Sequence, residues 1–308
     1  MKLIYMGTPD FAVPSLERLI SDGHDIALVV TQPDKPVGRK QILTPPAVKV
    51  CALAHDLPVY QPTSMKTEES YETLKAIGAD AIVVVAYGKI LPKRILDLTP
   101  YGCVNVHGSL LPRYRGAAPV QWAVLNGDAE SGVTTMQLDE GVDTGDILLM
   151  MRRPITDTMT GGELFDLLAS DGAELLSRTL DGLVHGEIIP KKQPTDGACY
   201  APMLDKSMCA LDWSKSAVTL HNQVRGLNPW PVATCRVDDK GLKVYVSRVG
   251  EVTDAAPGTV VSVSPLTVAC GNGVTLILDE IQPEGSRRMA AADYLRGHPI
   301  AVGTVLTW

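Results

Sequence analysis

Apolar residues fall into two rhythms along the chain. In the first part, short and nearly continuous apolar runs alternate with stretches of helical spacing. Residues 2–6, 26–31, 59–60, 80–86, 103–107, 133–138 and 147–151 read as strands, the run Asp80-Ala81-Ile82-Val83-Val84-Val85-Ala86 most plainly. Between them, 11–21, 47–55, 67–77 and 117–126 carry apolar positions at helical spacing, and 162–183 fits one long helix with Gly172 as a candidate kink. Strands that are apolar on both faces and separated by helices predict an α/β domain. Its centre is a Rossmann-like, mostly parallel sheet with helices on both faces. From residue 189 to 208 the rhythm breaks, with prolines at 190, 194 and 202, and this stretch reads as a linker. A short helix over 218–227 is closed by Asn228-Pro229-Trp230-Pro231. Strand-like runs then recur at 233–237, 242–249, 258–263, 266–270 and 274–281, with a helix at 290–296 before a last strand, which predicts a small all-β barrel or sandwich. The expected division is 1–189 for the α/β domain, 190–208 for the linker and 209–308 for the β domain.

Composition narrows the class. The 308 residues are 45% hydrophobic but only 5% aromatic, so aliphatic side chains must build the cores. No apolar run approaches the roughly 20 residues of a membrane span, and the first residues run straight into a strand without a signal-peptide layout, so a cytoplasmic protein is expected. The six cysteines include no C-x-x-C pair, which favours reduced thiols over a zinc site or a disulfide framework. Net charge is −7, yet residues 209–308 carry nine basic and nine acidic residues, so the acidic excess lies entirely in 1–208. Any surface for a polyanion must therefore be local. The long loop 32–46 is one candidate, with Lys35, Arg39 and Lys40 against a single acid, Asp34. It reads either as a solvated insertion or as a contact for a phosphate backbone. The first turn, Gly7-Thr8-Pro9-Asp10, lacks G-x-G-x-x-G and so argues against a dinucleotide.

The chemistry concentrates in Asn105-Val106-His107-Gly108-Ser109-Leu110-Leu111-Pro112-Arg113-Tyr114-Arg115-Gly116. On a strand over 103–107, Asn105 and His107 share one face. Two more loops carry unusual residues: 87–92, and the acid-rich Asp139-Glu140-Gly141-Val142-Asp143-Thr144-Gly145-Asp146. If all three loops leave the C-terminal ends of strands, they converge on one cleft, where an amide, an imidazole and a carboxylate could meet. An amide donor and a protonated imidazole suit the developing oxyanion of acyl transfer. Ser109 lacks a nucleophile-elbow context, so the acceptor itself is expected to attack. Other readings stay open: a structural histidine at a strand end, and a solvated acidic turn, which does not match the calcium-loop spacing.

The string Asn105-Val106-His107-Gly108-Ser109-Leu110-Leu111-Pro112, followed by Val142-Asp143-Thr144-Gly145-Asp146, resembles the 10-formyltetrahydrofolate-dependent formyltransferases. Gly7-Thr8-Pro9-Asp10-Phe11-Ala12-Val13-Pro14-Ser15-Leu16, the loop 33–48, Asn228-Pro229-Trp230-Pro231 and Leu295-Arg296-Gly297-His298 point to the branch that acts on charged initiator tRNA. The resemblance implies that the β domain is an OB-type barrel and that Asn105, His107 and Asp143 form the catalytic set. It implies that Ser109, Leu110, Leu111 and Pro112 contact folate, with Tyr87, Gly88, Lys89, Ile90, Asp139 and Val142 lining the pterin pocket largely through backbone. Lys35, Arg39 and Lys40 would face tRNA. The implied partners are 10-formyltetrahydrofolate and initiator methionyl-tRNA, with no metal, no membrane and a monomeric enzyme. The chain departs from the family pattern at Met203, after Tyr200-Ala201-Pro202, and around Ser207-Met208-Cys209. These departures put in doubt a tRNA contact from the linker.

Overall fold

The computed structural model describes residues 1–38, 40–238 and 240–308. In chain order the first elements are β1 (Lys2–Gly7), α1 (Val13–Ser21), β2 (Asp25–Val30), β3 (Lys35–Val37), β4 (Ile42–Thr44), α2 (Ala47–Ala54), β5 (Val59–Tyr60), α3 (Glu68–Ile77), β6 (Ala81–Val85) and α4 (Lys93–Leu96). There follow β7 (Cys103–His107), β8 (Arg115–Gly116), α5 (Pro119–Leu125), β9 (Glu130–Gln137), β10 (Ile147–Pro154), α6 (Gly161–Val184) and β11 (Tyr200–Ala201). The last elements are α7 (Ala217–Gly226), β12 (Ala233–Val237), β13 (Lys240–Val252), β14 (Val260–Val263), β15 (Leu266–Ala269), β16 (Val274–Pro283), β17 (Met289–Ala290) and α8 (Ala291–Gly297).

Contacts gather these elements into two compact units that interleave in sequence. The first comprises Met1–Gly116, Ser131–Arg153 and Phe165–Ala201; the second comprises Ala117–Glu130, Pro154–Leu164 and Pro202–Trp308. The expected linker thus divides at Ala201. Its β11 end pairs in parallel with β8 of the first unit. The helix α5, which sequence order assigns to the α/β domain, belongs to the second unit because its apolar face is covered there: Trp122 and Leu125 pack with Leu204, Met208 and Leu227.

The first unit is the predicted α/β fold, with sheet order β10-β9-β7-β6-β1-β2-β5. β1, β2, β5, β6 and β7 run parallel. β9 runs antiparallel to β7. Ile4, Met6, Ile82, Val84 and Cys103 point to one face, where they meet Leu74 of α3 and Ile95 and Leu96 of α4. Val106 points to the other face, against Gly172 of α6: a Cβ there would stand 2.8 Å from the Val106 side chain, so the missing side chain lets the helix lie close to the sheet. Strand order reverses between β1 and β6, which creates a crevice beyond their C-terminal ends. The stretch expected as an unstructured loop instead contains the antiparallel β3–β4 hairpin, registered Lys35↔Thr44 and Val37↔Ile42. All six hairpin residues are exposed, so backbone pairing rather than burial defines them, and an apolar-period reading has nothing to detect. Arg39 lies outside the described residues.

The second unit is built on an antiparallel sheet, order β12-β13-β16-β15-β14, with β17 on β16. The chain end joins its two edges. Arg236 of β12 exchanges backbone hydrogen bonds with Thr307, and Val260 of β14 donates to Thr304. That closes the sheet into the expected barrel and leaves few free strand edges. Ala217, Leu220 and Val224 of α7 plug it, against Val244, Leu276, Leu278 and Ile281. Among the described residues no helix is long and apolar enough to cross a membrane.

Candidate active site

Asn105 and His107 lie on β7 in register with Met136 and Thr134 of β9. Strand alternation places both on the face that carries Cys103. Both are buried. Because β9 is antiparallel, its C-terminal end at Gln137 lies beside Val104, near the start of β7 and away from His107. The acid-rich loop therefore does not begin at the crevice, as three converging strand ends would require. It folds back until Asp143 reaches His107, at the other end of that strand.

There the Asp143 Oδ2 stands 3.7 Å from His107 Nδ1 and accepts the Gly116 N–H at 2.8 Å. The first distance is beyond a hydrogen bond; it allows charge attraction to a protonated ring and leaves Nδ1 open. The imidazole is fixed from its other side, where Nε2 meets the Tyr114 carbonyl at 2.8 Å. A carbonyl only accepts, so Nε2 carries hydrogen, and Nδ1 is the nitrogen whose proton can change. Asn105 is 7% exposed, and its amide makes no hydrogen bond among the described residues. Its amide atoms are not among the fully buried side-chain atoms left without a partner, so the exposure the residue keeps lies at the amide, where water or a ligand can bond to it. The strand end thus presents an unspent amide and an unspent imidazole nitrogen on one face, with a carboxylate beside them.

The remaining expected residues divide into wall and scaffold. Ser109 is fully buried and donates its hydroxyl to the Arg113 carbonyl at 2.6 Å, so this side chain shapes its own turn and does not present itself to a ligand. The turn is pinned again by Thr134, whose hydroxyl donates to the Ser109 carbonyl at 2.6 Å and accepts the Leu111 N–H at 3.2 Å. Leu111 is buried, and Leu110 and Pro112 are half-buried. The Asp139 carboxylate accepts the Gly141 N–H and the Thr144 hydroxyl, so it holds the acidic loop and leaves backbone to line a pocket. Val142 and Ile90 are exposed. Tyr87 is buried with its hydroxyl unpartnered, and burial, with Tyr60 nearby, pushes that hydroxyl up to about 12. Its carbonyl accepts from Thr8 and Gln32, tying the loop after β6 to those after β1 and β2. Lys89 donates to the Pro62 and Thr63 carbonyls, and desolvation, with Lys35 nearby, lowers its pKa. Gly88 has φ +79, a left-handed backbone suited to glycine.

A cleft of about 760 Å³ opens under the hairpin, lined among others by Thr8, Asp10, Gln32, Lys35, Thr44 and Val50. It includes none of Asn105, His107 and Asp143. Reactive groups rather than empty volume mark a candidate active site, so the triad stays the candidate. Lys35 and Lys40 are exposed. The donor atoms of Glu17, Cys51 and His55 come within 4.8 Å of one another, but two of these residues are exposed. Burial and Glu17 push the Cys51 thiol up, against the thiolate that a metal requires.

Four contributors escape sequence reasoning: the carbonyl of Tyr114, the N–H of Gly116, the hydroxyl of Thr134 and the amide of Gln193. Gln193 donates to the carbonyls of Asp143 and Gly145, each at 2.8 Å, and accepts from Arg115 at 2.8 and 3.2 Å. Three of them act through backbone or across the sheet. Gln193 sits in a proline-marked stretch with no period to announce it.

Residues 1–180 match the formyl transferase family model, and residues 203–299 match the formyl transferase C-terminal domain. The chain belongs to the formyl transferase family. It is 48% identical over 307 residues to methionyl-tRNA formyltransferase of Trichlorobacter lovleyi, covering 99% of this chain and 96% of that protein. The methionyl-tRNA formyltransferase of Clostridium novyi is 49% identical over 310 residues, covering 99% and 100%. Among solved structures, an N-formyltransferase from Helicobacter canadensis in complex with folinic acid and dTDP-3-aminofucose superposes with TM-score 0.69 at 21% identity, covering 92% of this formyltransferase and 99% of that chain. HypX from Aquifex aeolicus, in complex with tetrahydrofolic acid, gives TM-score 0.65 at 14% identity over 96% of this chain and 47% of its own. These two likenesses concern the fold.

Proposed function

We propose that this formyltransferase moves the formyl group of 10-formyltetrahydrofolate to the α-amine of methionyl initiator tRNA, giving N-formylmethionyl-tRNA for translation initiation. The observation that carries the reading is near-full-length identity, at 48–49%, to proteins named methionyl-tRNA formyltransferase. The geometry supports the chemistry. The neutral amine attacks the formyl carbon. As the carbonyl oxygen gains charge, the Asn105 amide and a protonated Nδ1 of His107 donate to it; neither is spent on the protein. Asp143, 3.7 Å from that nitrogen, faces the imidazole with its carboxylate and takes the amine's proton through a water. The tetrahedral intermediate then collapses: the bond from the formyl carbon to the folate nitrogen breaks, that nitrogen takes back the proton held at Asp143 through the water, and tetrahydrofolate leaves. Ser109 contributes by holding the turn whose Leu110, Leu111 and Pro112 form folate wall. The stretches Tyr87–Ile90 and Asp139–Val142 would offer backbone groups to the pterin.

The first unit carries the transfer, and the closed β barrel gives a surface for the tRNA. Lys35 and Lys40 of the exposed hairpin, with Arg39, would meet its phosphates. The same reading makes the protein a cytoplasmic monomer with a diffusible folate co-substrate and no metal. The deciding assay offers 10-formyltetrahydrofolate with charged initiator tRNA in one series and nucleotide-linked amino sugars in another. Formylation of the tRNA is expected. Turnover with the small amines and none with the tRNA would overturn the reading.

A further inference from the structure

Asp143 adopts a left-handed backbone, φ +52, which side-chain-bearing residues rarely hold unaided. Two grips hold it. The Gly116 N–H takes the carboxylate, and the Gln193 side-chain amide takes the Asp143 carbonyl together with that of Gly145. The other end of Gln193 accepts from the guanidinium of Arg115, the residue next to Gly116. Asp143, Gly116, Arg115 and Gln193 therefore form a closed ring, and Gln193 is the member that links the acid loop's backbone to β8. β8 is in turn pinned by β11, because the Tyr200 ring and the Ala201 carbonyl stand 2.6 and 2.8 Å from where a Cβ of Gly116 would be.

We propose that Gln193 is a positioning residue for formyl transfer: it sets where the Asp143 carboxylate stands relative to Nδ1 of His107. The inference rests on the formyl-transfer reading. Gln193 touches neither reacting group, so it acts through Asp143. Its loss lets the acid loop relax while the carboxylate keeps a single anchor on Gly116. Small misplacements of a catalytic group cost rate far more than binding.

The test is a double-mutant cycle in single-turnover formylation, with Gln193→Ala, Gln193→Glu, Asp143→Ala and the double variant Gln193→Ala/Asp143→Ala. Gln193→Glu keeps the acceptor for Arg115 but turns an oxygen toward two carbonyls, which isolates the donor half of the strut. Both single substitutions at 193 are expected to slow transfer about tenfold or more, with KM for either substrate within about twofold of wild type. In the Asp143→Ala background, Gln193→Ala is expected to cost nothing further. Additive losses, or a KM rise without a fall in rate, would overturn the proposal, as would wild-type rates. Gln193→Met, which keeps side-chain volume, serves if the alanine variant fails to fold. Should the wild-type protein formylate a small amine in place of the tRNA, the substrate reading falls, and the same cycle run on that amine still decides Gln193.

Discussion

Replacing Asn105 by alanine separates catalysis from stability in a way that few buried polar residues allow. Asn105 is 7% exposed, and its amide has no hydrogen-bond partner among the described residues yet is not among the fully buried atoms. Its removal therefore strands no other group. The amide reaches solvent, so its loss relieves no buried penalty, and the small void that alanine leaves opens to water. Net stability should stay within about 1 kcal/mol, a shift of roughly 2–4 °C in Tm for a domain of this size. Transition-state stabilisation should suffer instead. One oxyanion donor is worth about 2.7–4 kcal/mol, or 10²–10³ in kcat. Thr134→Val, nearly isosteric, gives the opposite profile. Thr134 is fully buried, and its hydroxyl serves the Ser109 carbonyl and the Leu111 N–H. Stranding both should cost about 2 kcal/mol or more and lower Tm by at least about 4 °C. Thermal melts by circular dichroism and single-turnover formylation, run on both variants, make the comparison. A near-wild-type kcat for Asn105→Ala would remove the amide from the mechanism. A large Tm loss would show that it has a structural partner after all.

Other substitutions probe the scaffold. Gly116→Ala would force φ +112 on a residue with a Cβ, 2.6 Å from the Tyr200 ring and 2.8 Å from the Ala201 carbonyl; a stability loss of about 2–4 kcal/mol and a fall in kcat are expected, and a variant with wild-type melting and rate would contradict the packing of β8 against β11. Of the six cysteines only Cys199 is exposed, and burial pushes Cys103 and Cys235 up to about 12, so Ellman's reagent should label one thiol quickly in the native protein and the others only on unfolding; rapid labelling of several would refute that. Hydrogen bonds from Gln61 and Lys49 hold the Asp34 carboxyl below its usual range. A depressed folded-state pKa contributes stability above the unfolded-state value and loses it as pH falls; the Tm gap between wild type and Asp34→Asn should thus be widest near neutral pH and close as pH drops through the carboxylate range, and a gap independent of pH would show that Asp34 acts by other means.

The α/β order, the parallel strands and the β-rich end were legible because each depends on local period and composition. A run such as Ile82-Val83-Val84-Val85 needs burial on both faces, and helical spacing needs one apolar side, wherever they sit in the chain. Asn105 and His107 could be placed on one face for the same reason, since alternation is a property of the strand alone.

What depended on distant partners was decided only in three dimensions. The β3–β4 hairpin is exposed on every residue, so no apolar pattern reports it. Helix α5 joins the second unit because Leu204 and Leu227, far along the chain, cover it. The antiparallel run of β9 sends the acid loop away from the crevice and makes it return to bring Asp143 to His107. The ring of Asp143, Gly116, Arg115 and Gln193 joins three separate stretches of chain through hydrogen bonds, two of which end on backbone carbonyls that every residue possesses. A sequence names side chains, and so it determined which strands and which reactive groups this protein has. Which carbonyl meets which amide is a matter of tertiary approach, and that approach decided where those reactive groups stand.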